Sequence, residues 1–163
     1  MAKFMLPIAI FSIFMLCFYY ERKEKNRKEH EDWIYNCRQC LVRITHSFRQ
    51  DCQTVTEKTF ATYTSIMLHN SYRDMPDYMI YSFLSDYRRS IDKLKEDYIE
   101  NISVKANEAM EHYAFTDIPN YLVEEYNKQV LDIYNSFYDF SYLMQAQIAE
   151  ANETHITMLL EGS

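Results

Sequence analysis

The sequence predicts an all-α protein: an N-terminal single transmembrane helix, then an elongated antiparallel three-helix bundle with coiled-coil-like packing. Three observations carry that reading. The 163 residues include one Gly and three Pro, where average usage gives roughly eleven and eight, so the chain has few places to turn. Apolar residues recur at steps of three and four along most of the length, which is the period of a helix face. The period lapses at only two short stretches, one holding Pro76 and the other Pro119. Short breaks between long helices make neighbours antiparallel.

The first element is the apolar run at residues 4–20, which carries no charge. At about 17 residues it meets the lower limit for crossing a bilayer as a helix. Pro7 stands in its first turn, where a missing N–H costs nothing. A cleaved signal sequence ends in small residues. This run ends in Leu16, Cys17, Phe18, Tyr19 and Tyr20, which favours an uncleaved anchor over residues 1–20. Lys3 precedes the run, whereas Arg22, Lys23, Lys25, Arg27 and Lys28 follow it closely. Basic residues stay on the inner side of a membrane, so the body is expected on the cytoplasmic or matrix side, with Tyr19 and Tyr20 at headgroup level. The reversed topology gives a periplasmic, lumenal or secreted rod of an envelope, lysis or conjugation-type system. Residues 21–32 carry both signs of charge and read as a solvated juxtamembrane helix.

The body, residues 33–160, follows with helices at about 21–68, 75–114 and 118–160, and residues 161–163 form a tail. The first stripe is Ile34, Cys37, Leu41, Ile44, Phe48, Cys52, Val55, Thr59, Tyr63 and Ile66. Asp74 is the expected cap of the second helix, with Pro76 in its first turn. That helix carries the stripe Ile80, Leu84, Tyr87, Ile91, Leu94, Tyr98, Ile102, Ala106, Ala109 and Tyr113. Thr116 or Asp117 caps the third, whose stripe is Leu122, Tyr126, Val130, Ile133, Phe137, Ser141, Met144, Ile148, Ala151 and His155.

Composition excludes several function classes. The only glycine is Gly162, and phosphate-binding loops, dinucleotide fingerprints and nucleophile elbows need glycine inside the fold. Seventeen basic against twenty-four acidic residues give a net charge of −7, which leaves no footprint for a nucleic-acid backbone. No small-molecule substrate and no catalytic residue is indicated. Glu-x-x-His, the di-iron signature of helical bundles, is absent: Arg27, Ala109 and Asn152 stand three residues before His30, His112 and His155. Glu108, Glu111 and His112 read as a solvated acidic face. No motif assigns the chain to a family.

Two features point to chemistry or binding. Cys37-Arg38-Gln39-Cys40 has the spacing of half a zinc site. Antiparallel pairing of the first two helices brings His112 towards it, with His30 two turns below, so a Cys37, Cys40, His112, His30 set is the candidate metal site. The competing reading makes Cys37 a small apolar filler and the protein cofactor-free. Cys40 and Cys52 lie ~18 Å apart on one helix, beyond disulfide reach, so Cys52 is available for an intermolecular disulfide if the body faces an oxidising compartment. Two N-x-Ser/Thr sequons, at Asn101 and Asn152, matter only in that same topology. The second feature is aromatic: the chain has fifteen Tyr and ten Phe, and the third helix carries Tyr134, Phe137, Tyr138, Phe140 and Tyr142 close together, with Met144 beside them. A helix apolar nearly all round is covered by something. The expected function is therefore that of a non-enzymatic, single-pass membrane protein. Its helical body docks other chains, a second copy or the subunits of a membrane complex, as an assembly, scaffold or accessory subunit.

Overall fold

The computed structural model describes the backbone of residues 2–70, 75–112 and 120–161, and the side chains of residues 15–69, 75–109, 111 and 122–154. Among the described residues there are three helices and no strand: α1 (Ala2–Asn70), α2 (Asp77–His112) and α3 (Asn120–Glu161). The chain divides into two compact units, Met1–Gln39 and Cys40–Ser163. The second unit begins at Cys40. The reason is visible in α1, whose first fully buried described residue is Leu41.

In the first unit the apolar run at residues 4–20 is helical, and most of its side chains lie outside the described residues. Among the described residues no helix is long and apolar enough to cross a membrane. The following stretch is an exposed helix held by neighbouring charges one turn apart. Arg27 reaches Glu24 at 2.6 Å and Glu31 at 3.1 Å, and Lys25 lies 3.8 Å from Glu29. Such exposed pairs contribute a few tenths of a kcal/mol each.

The second unit is an up-down-up bundle, as cross-helix hydrogen bonds show. Tyr98 Oη donates to Asp51 Oδ2 at 2.6 Å, tying α2 antiparallel to α1. Arg49 Nε donates to Ser136 Oγ at 3.0 Å, and Tyr63 Oη to Asn152 Oδ1 at 2.6 Å. Both partners advance together in those two bonds, so α1 and α3 run parallel. Ser103 Oγ and Tyr126 Oη, 3.1 Å apart, join α2 to α3. α2 opens where Pro76 accepts from the N–H groups of Met79 (2.8 Å) and Ile80 (3.2 Å). Pro76 thus occupies the cap position itself and Asp77 begins the helix, where its charge suits the dipole. Asp74, Thr116 and Asp117 lie outside the described residues.

Phe48, Cys52, Tyr63, Tyr87, Ile91, Ile102, Ile133, Phe137, Met144 and Ile148 form the centre of the core. Edge-to-face rings at Phe48–Tyr98 (5.6 Å) and Tyr63–Phe83 (5.5 Å) pack α1 on α2. The buried rows include polar residues that the apolar stripe omits: Thr45, Thr56, Glu125, Gln129 and Ser136. Each is satisfied locally. Thr45, Thr56 and Ser136 donate to the carbonyl four residues back, and Gln129 Nε2 donates to Glu125 Oε1 at 2.7 Å. At mid-bundle all three helices meet at the Tyr87 hydroxyl. It lies 2.7 Å from Thr56 Oγ1 on α1 and 3.0 Å from the Phe140 carbonyl on α3.

Candidate functional site

α3 is apolar on two opposed faces, and the bundle covers only one of them. Phe137 is 4% exposed and Met144 0%. Both fill the core, which corrects the expectation that they belong to a docking surface: each lies on the row that faces α1 and α2. Phe140 is half-buried, and its carbonyl receives the Tyr87 hydroxyl. Tyr134, Tyr138 and Tyr142 stand on the outside, 40%, 60% and 75% exposed. They are joined there by Val123, Asn127, Leu131, Gln145 and Ala149, all exposed.

Between Asn127 and Ala149 this outer face carries no charged residue; beyond that span exposed Glu124 stands on the same side, seven residues before Leu131. α3 does have exposed charges, but Lys128, Asp139 and Glu150 each follow a residue of the face directly, 100° further round the helix. On α2 the exposed positions include Asp86, Arg89, Lys93, Glu96, Asp97 and Glu100, the usual dress of a solvated helix. The neutral aromatic face of α3 therefore stands apart from its surroundings. Isolated exposed apolar residues need no explanation, whereas a contiguous row of them marks an interaction surface.

Two of its rings are already held in place. The Lys95 ammonium sits 4.7 Å from the Phe137 ring centroid and 5.5 Å from that of Tyr134, and it is paired with Asp92. Tyr138 packs edge-on against Phe137 at 5.3 Å. Side chains ordered in advance lose less entropy when a partner arrives. The aromatic content of α3 was legible in the sequence. Asn127, Leu131, Gln145 and Ala149 were missed, although their spacing of three and four from the tyrosines is the signal that places them.

The cysteines are all free. Cys52 is fully buried, and burial, aided by the neighbouring Asp51, pushes its thiol up to about 12. A thiol that is both enclosed and protonated neither meets a second chain nor attacks one. The expectation of an intermolecular disulfide through Cys52 is accordingly corrected: the stripe that makes it apolar also places it in the core. Cys37 and Cys40 are half-buried and His30 is exposed. His30 and Cys37 belong to the first unit and Cys40 to the second, while the His112 side chain lies outside the described residues. Among the described residues no group of three His, Cys, Asp or Glu side chains is placed to hold a metal ion. The Asn152 sequon amide is engaged with Tyr63 inside the bundle.

A groove of about 460 Å³ opens between α1 and α3, lined by Phe60, Thr64, Met67, Leu68, Gln147, Glu150, Ala151 and Thr154. Its walls are mainly apolar, and Gln147 Oε1 is buried beside them without a hydrogen-bond donor. No protein-family model matches the chain, and no curated protein or solved structure is significantly similar to it.

Proposed function

We propose that this protein is a non-enzymatic docking protein whose helical body binds other chains through the outer face of α3, as an assembly or scaffold subunit at a membrane. The observation that carries the reading is the uncharged row Leu131, Tyr134, Tyr138 and Tyr142, exposed on a chain that is one-quarter charged. Aromatic anchors of this kind dominate the energetics of protein interfaces. The tether rests on the sequence: an apolar, uncharged run at residues 4–20 followed by five basic residues by position 28. In this reading those basic residues keep the body on the cytoplasmic or matrix side.

The test is affinity capture of the tagged full-length protein from native membranes, beside a Tyr138→Glu plus Tyr142→Glu variant. Both positions are exposed, so the variant keeps its helical circular dichroism. Wild type is expected to retain a defined complex that the variant loses. An identical complex with both proteins would sink the reading. Alkaline extraction of the membranes tests the tether separately: an anchored chain stays in the pellet, and deletion of residues 4–20 releases it.

A further inference from the structure

The groove between α1 and α3 has a polarity that selects what can enter it. Phe60, Met67 and Leu68 on α1 and Ala151 on α3 supply its apolar wall. From Phe60 to Leu68 that wall runs ~12 Å along the helix. The volume of about 460 Å³ falls within the range of small-molecule sites. Phe60 and Ala151 are half-buried and Leu68 is exposed, so the groove is open along one side.

The polar atoms at the groove are acceptors in want of a donor. Gln147 Oε1 is buried and receives no hydrogen bond from the chain. An acceptor left buried and unpaired is costly, and a ligand that brings a donor recovers the cost. Glu150 follows three residues later on the same side of α3 and is exposed at the rim. It is the only charged residue among the described residues that line the groove. The two threonine hydroxyls there have spent their protons on their own helices. Thr64 donates to the Phe60 and Ala61 carbonyls, both at 3.1 Å, and Thr154 to the Glu150 carbonyl at 2.9 Å.

We propose that this groove binds a small cationic amphiphile, a primary ammonium carried on an apolar chain. An ammonium has three donors and no acceptor, which is the complement of what the groove offers. One N–H goes to Gln147 Oε1, and the positive charge lies against the Glu150 carboxylate. The apolar chain lies along Phe60, Met67 and Leu68, where its burial supplies the bulk of the affinity. A carboxylate of the same length is disfavoured, because its charge opposes that of Glu150. An alcohol stands between the two: its one proton satisfies Gln147, and it gains nothing from Glu150. The site is separate from the docking face, since Tyr134, Tyr138 and Tyr142 do not line it.

The test uses the full-length protein in mild detergent, isotope-labelled at its methionine methyls. Octylamine, octanol and octanoate are the matched probes, at neutral pH. Met67 lines the groove and Met79, on α2, does not, so the second methyl is the internal control for the first. Substitution Met67→Leu identifies the reporting signal. Octylamine is expected to shift the Met67 methyl saturably and to bind at least about tenfold more tightly than octanoate, with octanol between them. Glu150→Gln is expected to bring octylamine down to the affinity of octanol. Gln147→Leu is expected to weaken octylamine and octanol alike, by about tenfold. The same substitution is expected to raise the thermal midpoint of the ligand-free protein, because no acceptor is then left unpaired. Octanoate binding as tightly as octylamine overturns the proposal. So does a preference for the amine that survives Glu150→Gln, or a Met67 methyl that stays unmoved at millimolar octylamine. Equal shifts at Met67 and Met79 mean general partition into the bundle, and they overturn it too.

Discussion

Tyr87 shows how one side chain can tie three helices. The Cys52 carbonyl, the Thr56 hydroxyl, the Tyr87 hydroxyl and the Phe140 carbonyl form a chain with separations of 2.7, 2.7 and 3.0 Å. Two hydroxyls carry two protons, so two of the three links are hydrogen bonds at any instant. Removing either hydroxyl leaves the other a carbonyl to donate to, which limits the loss. Tyr87→Phe and Thr56→Val are each expected to cost about 1 kcal/mol in urea unfolding. Because the two groups share one link, the double variant is expected to depart from additivity by roughly 0.5 kcal/mol or more. Cys52, one turn from Thr56, makes a second prediction at this scale. Its thiol is expected to resist alkylation until denaturant is added, and no covalent dimer through it is expected on a non-reducing gel.

α3 is the element in which neighbouring residues have opposite fates. Phe137 and Tyr138 are adjacent, similar in size and in ring contact, yet one is 4% and the other 60% exposed. Phe137→Ala opens a cavity beside Lys95 and the core, and is expected to cost about 3–5 kcal/mol. Tyr138→Ala removes an exposed ring and is expected to change monomer stability by only ~0.5 kcal/mol. Thermal unfolding of the two variants, at concentrations where each is monomeric, separates them. Equal losses would mean that Tyr138 belongs to the core as much as Phe137 does. The aromatic richness of α3 is therefore two populations, one spent within the bundle and one left outside it.

For the bundle as a whole, the buried hydroxyl and thiol groups set an alkaline limit. Cys52 is raised from 9.0 to about 12, chiefly by burial. Tyr98 is raised from 10.0 to about 12, again chiefly by burial, with its bond to the Asp51 carboxylate adding to the shift. Burial also raises Tyr63 and Tyr87. Each group keeps its proton in the folded state to a higher pH than in the unfolded one, so the unfolded state binds fewer protons there. Stability from these groups is full below about pH 9 and declines as pH rises towards 12. Urea midpoints measured from pH 8 to pH 11 are expected to fall, with the first part of the decline shallower in Cys52→Val. A midpoint independent of pH over that range would contradict the burial of these groups.

The sequence by itself determined the helical class, the three helices, their breaks near Pro76 and Pro119, and the core rows of α2. All of these are consequences of local chemistry: scarce glycine, placed proline and a period of three to four that one helix must obey on its own. Thr56, Ser136 and Gln129 were not legible as core, because a polar side chain is acceptable there only once the i−4 carbonyl or a neighbouring carboxylate satisfies it. Periodicity put Ile133, Phe137, Met144 and Ile148 on one stripe of α3, but the aromatic count set Phe137 and Met144 beside Tyr138 as one docking surface, and sequence alone did not separate the two. Tertiary packing did. α1 and α2 cover the row of Ile133, Phe137 and Met144, shut Cys52 inside, and leave Leu131, Tyr134, Tyr138 and Tyr142 to the solvent. Three helices have room between them for one face of each, and the second apolar face of α3 is what remains.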